Sequence, residues 1–80
     1  MIGTFRGYTP GNATYTLITV NPDGFVSIVA ENGSGSARGY YNNGRVYFEW
    51  GEYRFRRQGN GFRAENQSNP NDRVFYQRVN

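Results

Sequence analysis

The chain has 80 residues, short enough that only one hydrophobic core fits. It contains no Cys and no His, which removes disulfides, thiol nucleophiles, the usual zinc ligands and His-dependent catalysis together. All nine basic residues are Arg, set against six carboxylates for a net charge of +3, and much of the apolar bulk lies in seven Tyr, six Phe and one Trp.

Ordering so short a chain must be offset by burying apolar surface, so most of those rings are expected inside. No run approaches the roughly 18 apolar residues of a membrane span. Met1-Ile2-Gly3 has neither the basic nor the apolar part of an export leader. The sequence therefore reads as a soluble chain without membrane insertion, with any export signal removed. Its lack of Cys suits the cytoplasm and a bacterial exterior alike.

Gly, Asn and Pro recur about every ten residues, and the runs between them are rich in Thr, Val, Ile, Tyr and Phe, the pattern of a strand meander. Strands are expected over Thr4–Tyr8, Thr14–Val20, Phe25–Glu31, Ala37–Tyr41, Arg45–Trp50, Glu52–Arg57, Phe62–Asn66 and Arg73–Val79. Only Asn69-Pro70-Asn71-Asp72 suggests a short helical turn.

Three turns fix register. Asn21-Pro22-Asp23-Gly24 puts Pro at the first central position of a type I turn and Gly at the left-handed residue after it, which pairs Val20 with Val26 and Ile18 with Ile28. Asn43-Gly44 and Asn60-Gly61 suit type I′ turns, whose two central residues need positive φ. The first of these opposes Tyr41 to Val46, Gly39 to Phe48 and Ala37 to Trp50 on an inward face, with Tyr40 against Tyr47 and Arg38 against Glu49 outside. The second opposes Arg56 to Glu65, or shifts the partners if the loop is Gly59-Asn60. Either way Arg54, Arg56 and Arg63 share a solvent face and Tyr53, Phe55, Phe62 and Ala64 share the inner one.

Eight short strands left as an open sheet would expose rings and two edges, so closure is expected. The fold class is all-β, one domain over residues 1–80: a small antiparallel up-and-down barrel of about eight strands, with an SH3-like barrel or small sandwich as alternative.

Two surfaces are candidates for binding. Arg54, Arg56 and Arg63 form a guanidinium face that suits phosphates. The neighbouring rings Tyr53, Phe55 and Phe62 fall on the other side of the sheet, and Glu52 and Glu65 can partner the charges, so nucleic acid is the second reading. Tyr15, Leu17 and Val29 gather on the outer face of the first hairpin, an apolar patch for a second copy or a protein partner unless part of the chain covers it.

Glu49 and Glu52 are the nearest acidic pair, and nothing gives them the separation of a two-carboxylate glycosidase; they read as partners of Arg, and the chain as non-enzymatic. Asn32-Gly33-Ser34-Gly35-Ser36 opens no helix and matches no phosphate loop. The single carboxylate of Asn69–Asp72 makes a poor calcium site. No metal and no cofactor are expected.

Ser34-Gly35-Ser36-Ala37-Arg38, with Gly39-Tyr40-Tyr41, Asn43-Gly44 and Phe48-Glu49-Trp50-Gly51-Glu52, resembles the Ser-Gly-x-x-Tyr and Trp/Gly-bearing region of periplasmic C-type lysozyme inhibitors, over under a quarter of the chain. That resemblance implies a small eight-stranded barrel and, as a third reading, inhibition of a cell-wall hydrolase. The chain lacks that family's Cys and Lys, so only Ser36 carries over as a contact residue. The leading reading is a non-catalytic binding module for a protein or small ligand.

Overall fold

The computed structural model describes residues 1–80 as a closed barrel of eight antiparallel strands, each paired with its neighbours in chain order. The strands are β1 (Gly3–Thr9), β2 (Thr14–Val20), β3 (Phe25–Ala30), β4 (Ser36–Asn42), β5 (Arg45–Phe48), β6 (Gly51–Gln58), β7 (Gly61–Asn66) and β8 (Arg73–Arg78). The single helical turn is a 3-10 turn at Pro10–Asn12, not at Asn69–Asp72. Pro10 starts it where no N–H is needed. Asn69–Asp72 instead closes two tight turns, with Asn66 and Asn69 side chains accepting from Ser68 and Asn71 N–H.

Turn chemistry sets the register as expected at two hairpins. Val20 faces Val26 and Ile18 faces Ile28. Tyr41 faces Val46 and Tyr40 faces Tyr47, with Asn43 and Gly44 both at positive φ. At the β6–β7 hairpin the loop is Gly59-Asn60, so Arg56 faces Arg63 and Arg54 faces Glu65. Gly59, at φ +57, takes the left-handed position, and the faces stay as expected.

The strand expected over Arg45–Trp50 stops at Phe48. Phe48 pairs with Gly51 across a two-residue Glu49-Trp50 turn, and Gly51 at φ +152 lets the chain reverse there. Trp50, expected to point inward opposite Ala37, is 55% exposed, and Ala37 pairs with Ile28 on the other side of β4.

Closure is carried by Phe5 opposite Arg78 and Arg6 opposite Gln77, helped by Val79 N–H donating to Thr4 O at 2.9 Å. Gly61 permits the bend at the β7–β8 seam, since a Cβ there would run into the Tyr76 carbonyl.

The core is concentrated toward the end of the barrel that holds both termini. Phe5, Val20, Val26, Val46 and Phe62 are sealed there. Phe62 is the hub, with ring centroids 4.9 Å from Phe5, 4.2 Å from Phe55 and 5.2 Å from Tyr76. Only Phe5, Phe48, Phe55, Phe62 and Tyr76 are buried rings, while Tyr8, Tyr15, Phe25, Tyr40, Tyr47, Trp50 and Phe75 are well exposed. Most rings are therefore not inside. Alternation limits the inward positions along each strand, and here Val, Ile, Thr and Ala share them with five rings.

Candidate ligand site at the open end of the barrel

Inward residues fill the closed end and include several small ones toward the other. Thr16, Ala30, Ala37 and Ala64 leave room beneath four loops: residues 10–13, 31–35, 49–50 and 67–72. The result is an open cavity of about 730 Å³. Its walls are mostly apolar, from Ile18, Ile28, Phe48, Phe55 and Val74, with Ser34 and Gly35 of the glycine-rich loop at the lip.

Polar groups converge at one side of the mouth. Trp50 Nε1–H donates to the Tyr53 hydroxyl at 3.2 Å, and that hydroxyl donates to Asp72 Oδ2 at 2.8 Å. Asn66 Nδ2 donates to the same oxygen at 3.1 Å. Burial pushes the Tyr53 phenol above its ordinary range, and Asp72 beside it adds to the rise. Tyr53 therefore stays neutral and keeps its proton on the Asp72 side. Deeper in, burial pushes Tyr76 up to about 12. On the opposite side the Thr9 and Thr16 hydroxyls share a hydrogen bond of 2.6 Å.

The Trp50 indole lies flat on Phe48, centroids 4.7 Å apart and planes within 3°, so the exposed ring forms an extension of the cavity wall at the lip. Sequence reasoning missed this site. Its signal was three small inward residues, Ala30, Ala37 and Ala64, on β3, β4 and β7.

The expected Arg face exists on the outside of β6 and β7, but two of its members are spent. Arg56 Nε reaches Glu65 at 2.6 Å and Arg63 Nε reaches it at 3.0 Å, the latter too far off line for a hydrogen bond. Arg56, Arg63 and Arg73 together hold the Glu65 carboxyl below its usual range, the Arg56 bond most of all. Arg54 stands beside Arg45 and forms no ion pair, while Arg45 holds Glu52 at 2.7 Å. Glu49 sits apart from Glu52 in the exposed turn.

Tyr15, Leu17 and Val29 do share an outer face, with Leu17 directly opposite Val29. The patch is partly roofed: the Arg6 guanidinium lies 3.8 Å over the Tyr15 ring and is fixed by Glu31 at 2.6 and 3.0 Å. That bidentate bond raises the Arg6 pKa and lowers that of Glu31. Ser36 opens β4 at the cavity lip.

No family model, curated protein or solved structure matches the chain. No helix is long and apolar enough to cross a membrane.

Proposed function

We propose that the chain is a non-catalytic binding module that takes a small molecule into the open end of the barrel. The observation that carries this reading is the cavity of about 730 Å³, within the range of small-molecule sites, with apolar walls and a few convergent polar groups at its mouth. Asp72 and the Tyr53 and Asn66 groups around it suit a ligand with a hydroxyl or protonated amine at one end. The apolar walls and the Trp50–Phe48 stack suit a flat or aliphatic body at the other. A protein partner at Tyr15, Leu17 and Val29 is less favoured, because Arg6 already occupies the Tyr15 face.

Trp50 is the chain's single tryptophan and therefore reports on the mouth alone. A panel of aromatic alcohols and protonated amines titrated to about millimolar is expected to include compounds that saturably change Trp50 emission and raise the melting temperature. Ala37→Phe, which places a ring in the cavity, is expected to abolish both effects. A panel in which no compound moves either signal, or in which Ala37→Phe binds as the parent does, contradicts the reading.

A further inference from the structure

The outer face of β3, β4 and β5 carries three rings in one straight row. Phe25 is directly opposite Tyr40, and Tyr40 is directly opposite Tyr47. They are 55%, 48% and 47% exposed. The row is held in place: Phe25 and Tyr40 meet edge to face with centroids 5.8 Å apart, and Tyr40 rests over Gly24, where any Cβ would crowd its ring. Asp23 and Asn21 fix the backbone of Phe25 from the adjacent turn.

Arginines flank the row on both sides along the strands. Arg38 precedes Tyr40 by two residues on the same face, while Arg45 and its cross-strand neighbour Arg54 lie beyond Tyr47. Arg38 and Arg54 make no ion pair, so both are free for an external anion. The outer faces of β4 to β7 carry Arg38, Arg45, Arg54, Arg56 and Arg63 against Glu52 and Glu65, an excess of three that equals the net charge of the whole chain. The excess thus lies on the wall that starts at the ring row and continues across β6 and β7, with Asp23 and Glu49 in the turns at the row's ends.

We infer that the row Phe25–Tyr40–Tyr47 with Arg38 and Arg54 is a binding site for single-stranded nucleic acid, independent of the barrel cavity. Bases stack on exposed rings whatever their identity, and free guanidinium groups beside them take the phosphates. Rings on adjacent strands stand about 5 Å apart, so the row accommodates two or three bases. A second copy of this chain is a poor occupant, because self-docking sets one Arg-rich face against another. Duplex DNA is poor as well, since its bases are not free to stack.

The test is a titration of labelled oligothymidine of about twelve nucleotides, followed by anisotropy at about 50 and 200 mM salt. Binding is expected at low salt and should weaken steeply at high salt. Tyr40→Ala and Tyr47→Ala should each weaken it about tenfold, and Tyr40→Phe should bind as the parent does. Arg38→Ala and Arg54→Ala should each flatten the salt dependence by about one ion. Tyr8→Ala, on β1 away from the row, is the control and should change nothing, and melting curves should show every variant folded. Absence of binding overturns the proposal. So does binding lowered by the Arg variants but indifferent to Tyr40→Ala and Tyr47→Ala, or matched by polyglutamate, because either marks a general polyanion surface. Self-association at about 100 µM that Tyr40→Ala abolishes also overturns it, in favour of a second copy.

Discussion

Tyr76 couples the stability of the barrel to alkaline pH. Its ring is buried against Phe62, and burial raises its pKa from the ordinary 10.0 to about 12, with the Thr9 and Thr16 hydroxyls beside it offsetting part of the rise. The folded state thus holds the phenol proton more tightly than the unfolded chain does. Stability from this source is complete below about pH 10 and falls as pH rises to about 12, where the folded protein also ionises. At 1.36 kcal/mol per tenfold change in proton affinity, the loss comes to about 3 kcal/mol across that window. Tyr53, raised in the same direction, steepens the fall. Urea unfolding followed by circular dichroism at about pH 8, 10 and 12 should show this decline. Tyr76→Phe should remove most of the pH dependence, and phenolate absorbance should show one Tyr ionising late. If Tyr76→Phe loses stability with pH as steeply as the parent, Tyr76 is not held in a desolvated environment and the packing given for it is wrong.

Phe62→Ala should cost about 3–5 kcal/mol in the same urea assay, because Phe62 touches three other rings and sees no solvent; a loss under about 1 kcal/mol would remove it from the hub of the core. Gly61→Ala should prevent closure of the β7–β8 seam, seen as loss of cooperative melting, while Gly11→Ala, with nothing within 4 Å, should melt as the parent does. Sedimentation at about 100 µM should return a monomer, and a dimer dissociated by Leu17→Arg would mean that the Arg6 roof over Tyr15 leaves enough apolar surface to pair.

Strand order, closure and most registers are legible because the turns carry their own stereochemistry. Asn43-Gly44 tolerates positive φ where few other pairs do, and that alone fixes Tyr40 opposite Tyr47. The β6–β7 loop is ambiguous because Gly59-Asn60 and Asn60-Gly61 are both acceptable turns; alternation protects the faces from that ambiguity. Trp50 misleads because Glu49-Trp50 is a turn without a turn-forming residue, and Gly51 after it is the only signal.

The misplacement of the rings has a different origin. Alternation alone sends Tyr40 and Tyr47 outward, and it conflicts with the demand that a short chain bury its aromatics. The register fixed by the turns decides in favour of alternation, since a one-residue slip would turn every inner side chain of a strand outward. The cavity is hidden because an interior void depends on which inward side chains come to share a wall, and Ala64 of β7 joins Ala30 and Ala37 of β3 and β4 there only once the barrel closes. The Asp72–Tyr53–Asn66 cluster likewise joins two strands and a loop that no local pattern relates.

The most direct test of ligand capture in the barrel mouth is to record amide resonances of the folded chain with and without the tightest compound from the aromatic alcohol and amine panel. Capture in the mouth should shift Ile18, Ile28, Tyr53, Asp72 and Tyr76 and leave Val20 and Val26 at the closed end unmoved. Shifts confined to the outer walls, around Tyr15 or Arg63, would contradict it.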